Sequence, residues 1–104
     1  MFLVVFRNRK RADIDAAAYA ADADAMASRA AAMPGYLGFK SYAADDGEVV
    51  AISEWADEAS ARAWGRDAEH AAVQGRGRAG YYAEYTLFAC DSPRIHHFPE
   101  ARPA

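Results

Sequence analysis

The residues of this chain best suited to chemistry gather between positions 64 and 85. They read Trp64, five residues, His70, three residues, Gln74, two residues, then Gly77-Arg78, followed by Tyr81, Tyr82 and Tyr85. On a helix, His70 and Gln74 share a face four residues apart, and Asp67 lies one turn before His70. Asp67 can accept a hydrogen bond from the imidazole and so set its tautomer. A tryptophan, a histidine, a glutamine and nearby tyrosine rings are the make-up of an apolar small-molecule pocket with few polar points. A guanidinium at Arg76 or Arg78 would hold a carboxylate or a phenolate. The same residues also read more plainly, as a core tryptophan, a surface histidine and arginines paired with surface acids. Composition alone favours the plainer reading.

Other reactive side chains are sparse. Cys90 is the single cysteine, which excludes a disulfide framework or a zinc cluster and leaves it as a small hydrophobe. His96 and His97 are adjacent, so they diverge on any regular backbone and do not share a metal. With no cysteine pair and no histidines four apart, no metal site is expected. Residues 35–42 approach the glycine-aromatic signature of RNA-binding sheets. Pro34, however, stands where a basic residue should lead, Leu37 interrupts the order, and the segment is the second strand. A net charge of −3 and a pI near 5.5 also argue against a nucleic-acid partner.

These candidate groups need elements to hold them. Residues 2–9 read as a strand with Phe2, Val4, Phe6 and Asn8 on one face and Leu3, Val5, Arg7 and Arg9 on the other. Asn8 ends the stripe of a buried face. Residues 13–33 read as a helix that Asp13 can cap, ended by Pro34-Gly35. Its stripe is Ala16, Tyr19, Ala23, Met26, Ala30 and Met33, while Asp15, Asp22 and Arg29 are expected in solvent. Its many small side chains would let it pack close to a sheet. Residues 36–43 and 48–55 are two strands around Asp45-Asp46-Gly47, a hairpin signal. Residues 57 to about 74 are helical with Asp57 as cap, and Gly65 should break or kink them into two short helices. Residues 81–90 form the last strand, with Tyr81 and Tyr85 on one side and Tyr82 on the other.

The resulting order, β-α-β-β-α-β, is the split βαβ or ferredoxin-like α+β plan: a four-stranded antiparallel sheet with two helices on one face. Residues 1–90 make one domain, and residues 91–104 an irregular tail. Hydrophobic residues are 53% of the chain, but 27 of them are alanine, so the large apolar side chains that remain form a thin core. The strands are apolar on both faces, and the simplest cover for the open one is a second copy, giving a homodimer with facing sheets. No apolar run approaches membrane-spanning length, and the opening segment lacks the charge order of a secretory signal. No membrane is expected as a partner, and the cytoplasm is the expected compartment.

The end of the first strand at Asn8-Arg9, Pro34-Gly35-Tyr36, Glu54-Trp55 and the Trp64 to Tyr85 pattern together resemble the antibiotic biosynthesis monooxygenase family. These are small dimeric ferredoxin-like proteins of the α/β barrel type. The resemblance covers roughly residues 2–90. It implies oxidation of a small aromatic, phenolic or polyketide-like molecule by O2 without metal or organic cofactor, the substrate itself supplying the electrons. Asn8, Trp64 and Arg78 would then offer N–H donors to a substrate anion. His70 would serve as base, and Gln74 and Tyr82 as further pocket groups. A second branch of the family degrades haem, with an axial histidine ten residues after the tryptophan. Here that position is Gln74, a poor iron ligand, so haem ranks below phenol oxidation. A third reading is a dimer that binds a small aromatic molecule without catalysis.

Overall fold

A computed structural model describes residues 1–67 and 80–100. The elements run β1 (Phe2–Lys10), α1 (Ala16–Ala32), β2 (Tyr36–Ala43), β3 (Val49–Trp55), α2 (Glu58–Arg66) and β4 (Tyr82–Asp91). The four strands form one antiparallel sheet in the order β2-β3-β1-β4, the ferredoxin-like plan that the element order predicts. Ser92 to Glu100 carries no helix or strand.

Local chemistry accounts for the element ends. Asp15, not Asp13, caps α1: its carboxylate accepts from the Ala18 amide at 3.0 Å. Asp13 is instead gripped by Arg11, which lowers its pKa through a hydrogen bond and charge. Asp57 caps α2 as expected, accepting from the Ser60 amide at 2.8 Å. The hairpin turns through residues 45–47. Ala44 accepts from the Gly47 amide and donates to the Glu48 carbonyl, and Gly47 takes a φ of +91°, which suits glycine. α2 ends at Arg66, directly after Gly65, so the expected break is present. The second short helix that the sequence predicts falls on residues outside the described ones.

The alternation of side chains sorts the sheet into two faces. Phe2, Val4, Phe6 and Asn8 of β1 pair in register with Trp55, Ser53, Ala51 and Val49 of β3, and all of these face the helices. A small core of Phe2, Ala30 and Trp55 sits at one end of this layer, with Met33, Tyr36, Ala61 and Trp64 packed against it. Trp55 is fully buried and stacks on Trp64 with centroids 6.2 Å apart. Leu3, Val5, Ile52 and Phe88 lie on the opposite, open face. No helix among the described residues is long and apolar enough to cross a membrane.

Candidate functional site

Beside this core the helix-facing layer opens into a cavity of about 500 Å³, which Phe2, Ala30 and Trp55 also line. Its floor is the sheet, with Phe6, Asn8, Ala51 and Leu87 among its residues. Its roof is α1 and α2. The alanines of α1 explain the space. Ala23, Ala27 and Ala30 project only methyl groups toward the sheet, so the helix roofs a void where larger side chains would have made solid core. The small residues pack closely at Ala30, buried against Phe2 and Trp55, and leave room elsewhere.

Of the six candidate residues, Asn8, Trp64 and Tyr82 line this one cavity. Trp64 serves two surfaces at once, stacked on the core tryptophan and facing the void. His70, Gln74 and Arg78 lie outside the described residues, as does Arg76. Tyr82 reaches the cavity by a route that alternation conceals. Between Arg9/Glu84 and Lys10/Tyr82 the β1–β4 register shifts, leaving Ala83 as the extra residue of a β-bulge. The bulge turns Tyr82 onto the same face as Tyr85, with ring centroids 5.9 Å apart, correcting the expectation that the two point apart.

Asn8 is the buried polar residue of the site, only 3% exposed. Lys10 Nζ donates to its Oδ1 at 2.6 Å. An ammonium has donors only, so the oxygen of the carboxamide must face the lysine and the Nδ2 hydrogens must point the other way. Among the described residues, no acceptor meets those hydrogens. A buried N–H pair without a partner costs free energy, and a ligand oxygen in the cavity would satisfy it.

Around Asn8 stands a cluster of rings. Phe6 meets Tyr82 and Tyr85 at 5.4 and 5.2 Å, and Tyr19 meets Tyr81 and Tyr82 at 5.3 and 6.4 Å. Burial, with lesser contributions from Tyr19, Tyr81 and Tyr85, pushes the Tyr82 phenol well above the ordinary tyrosine value. Tyr82 is therefore a neutral hydroxyl at any working pH: a hydrogen-bond donor, not a base.

Asp22 is a residue that sequence reasoning assigned to solvent. It lines the cavity, half-buried, and accepts from the Tyr81 hydroxyl at 2.6 Å. The signal was present, since Asp22 lies three residues after Tyr19 and beside Ala23 of the apolar stripe. Lys10 was missed because the strand was ended one residue short, although it shares its parity with Asn8. Arg29, also assigned to solvent, makes a two-point ion pair with Asp67 at 2.7 and 3.3 Å, tying the end of α2 to α1. The Asp67–His70 bond expected from spacing falls outside the described residues. Among the described residues no three or more His, Cys, Asp or Glu side chains gather as a metal site.

Comparison with known proteins gives the fold its relatives. A sequence model of the family described as antibiotic biosynthesis monooxygenase matches residues 1–76. The protein YqjZ of Bacillus subtilis (strain 168) is 32% identical over 82 residues, spanning 79% of this chain and 72% of the relative. Two solved structures share the architecture. Rv0793 from Mycobacterium tuberculosis superposes with a TM-score of 0.78 at 18% identity, covering 91% of this chain and 96% of that one. SnoaB, a cofactor-independent oxygenase from Streptomyces nogalater, superposes with a TM-score of 0.73 at 20% identity, covering 95% and 97%.

Proposed function

The chain belongs to the antibiotic biosynthesis monooxygenase family, and from that premise we propose that it oxidises a phenolic or enolisable aromatic molecule with O2, without a cofactor. The observation that carries the reading is the buried Asn8 carboxamide, whose N–H donors meet no acceptor among the described residues and border an apolar cavity of about 500 Å³. A flat aromatic substrate suits the ring-lined walls, and a phenolate or enolate oxygen suits the donors. The description of SnoaB as a cofactor-independent oxygenase supports the same chemistry.

The reaction follows from what such a site can stabilise. The substrate's acidic hydroxyl or methylene loses a proton, with His70 as the proposed base. The anion is held by Asn8 and Trp64, with Arg78 and Gln74 as further polar groups and Tyr82 as a neutral donor. That anion passes one electron to O2, and the radical and superoxide combine into a peroxide. The O–O bond then breaks: one oxygen stays as a new carbonyl and the other leaves as water. A methylene and O2 thus become a carbonyl and H2O, with all electrons drawn from the substrate. The protein's part is to lower the free energy of the anion and keep water away from it.

The proposal includes assembly. The open sheet face carries Phe88 at 51% and Tyr42 at 52% exposure beside Leu3, Val5 and Ile52, a patch that a second copy would cover as a homodimer.

Oxygen uptake over a panel of anthrones and quinols tests the function. One O2 consumed per quinone formed, with chelator present, is the expected result. Asn8→Ala should lower kcat by about 10²–10³, the loss typical of a missing anion-stabilising donor. Absence of uptake across the panel, together with tight binding of the same compounds, would convert the reading to a non-catalytic binding protein.

A further inference from the structure

We infer that Lys10 is a positioning residue that aims the Asn8 carboxamide into the cavity and strengthens it as a donor, an inference that rests on the reading of the cavity as the site of a substrate anion. Lys10 does not line the cavity itself. It lies two residues beyond Asn8 on the same face of β1, where the β-bulge brings Tyr82 opposite it. Its ammonium is 2.6 Å from Asn8 Oδ1, 4.7 Å from the centroid of Tyr19 and 5.6 Å from that of Tyr82.

Three features separate this arrangement from an ordinary surface lysine. First, among the described residues no carboxylate pairs with Lys10, although Arg7, Arg9 and Arg11 of the same stretch are all paired with acids. Its charge is taken up by two ring faces and one amide oxygen. Second, a carboxamide has two orientations of similar shape, and only one presents N–H to the cavity. A donor-only partner on the oxygen selects that orientation and excludes the other, in which Nδ2 would face an ammonium. Third, hydrogen bonding of a cation to the amide oxygen polarises the group and makes its hydrogens better donors, as cooperative hydrogen bonds do. Lys10 therefore delivers part of a positive charge to the substrate oxygen through Asn8, while its own ammonium stays behind the tyrosine rings.

Asp22 is the carboxylate of the described cavity lining nearest in role. It is engaged by the Tyr81 hydroxyl on the α1 side, whereas Lys10 acts from the sheet side.

The test uses Lys10→Met, which keeps the length and the contact with the rings, and Lys10→Arg, which restores the charge. Two readouts are taken. The first is the Asn8 carboxamide in 15N-resolved NMR. Base-catalysed exchange of its hydrogens with water should slow by about tenfold in Lys10→Met, the scale of one unit of N–H acidity lost with the cation on the oxygen, and recover in Lys10→Arg. The second is the ionisation of bound alizarin, a hydroxyanthraquinone whose colour reports its phenolate. Its pKa should be lowered on binding to the wild-type protein, and this lowering should shrink by about one unit in Lys10→Met. Unchanged exchange and unchanged carboxamide shifts in Lys10→Met would overturn the inference, as would an unaltered pKa of bound alizarin. If the wild-type protein does not bind alizarin while Lys10→Met still slows the exchange, the orienting role stands and the proposed site of an aromatic anion falls.

Discussion

The role proposed for Asn8 rests on its place near the end of β1, buried and beside the cavity. Burying an amide is costly unless its groups are matched, and Lys10 matches only the oxygen. Among the described residues the other half has no partner, and Asn8 lines the void. Tyr82 belongs to the same scale, and its environment makes a prediction about pH. Its folded pKa is raised by burial above the ordinary value of 10.0. In the unfolded chain the proton leaves near that ordinary value, while the folded chain keeps it. The stabilising effect is thus intact below about pH 10 and lost as pH climbs from there toward the folded pKa. Urea midpoints measured at about pH 9 and about pH 11 should fall more in the wild-type protein than in Tyr82→Phe. Equal falls would place the Tyr82 hydroxyl in water.

At the scale of elements, the site depends on how two helices are fixed above one sheet. The salt bridge between Arg29 and Asp67 ties them on one side, and the close approach at Gly35 fixes them on the other. Gly35 has a φ of +85°, its carbonyl accepts from the Ala56 amide at 2.7 Å, and a Cβ there would overlap the Ser60 side chain in the first turn of α2. Gly35→Ala should therefore destabilise the fold by about 1–2 kcal/mol from the backbone alone, with the overlap adding to it. A denaturation midpoint equal to that of the wild-type protein would show that the turn relaxes without loss. Much at this scale was legible in the sequence. Period-two alternation gave β1 and β3, Asp57 announced α2, and Asp45-Asp46-Gly47 announced the hairpin. The helix cap was misassigned because Asp13 and Asp15 are both suitable, and only the position of Arg11 decides between them. The β-bulge was not legible at all. One residue too many in a strand leaves no mark in the pattern of side chains, yet it determines that Tyr82 joins the cavity.

For the whole molecule, the alanine content that made the core look thin turns out to shape the site. Methyl groups on α1 cannot fill the layer above the sheet, so burial is concentrated around Trp55 and the remaining volume is open. Composition showed that apolar volume was short, but not where the shortage would fall, since that depends on which face of α1 meets the sheet. The thin core also bears on assembly. If the open face is covered by a second copy, Phe88→Glu should shift the protein from dimer to monomer at micromolar concentration, read by size-exclusion chromatography with light scattering, because it places a charge where an apolar contact would be. A wild-type monomer under the same conditions would remove the proposed interface.

The central claim, that the void beneath α1 holds a substrate oxygen against the Asn8 amide, is tested most directly by a crystal structure with alizarin bound. The account predicts its ring system between sheet and helices, with one oxygen about 2.8–3.1 Å from Asn8 Nδ2 and the Lys10 contact intact. Alizarin seated on the open sheet face or against the tail, with Asn8 untouched, would contradict it.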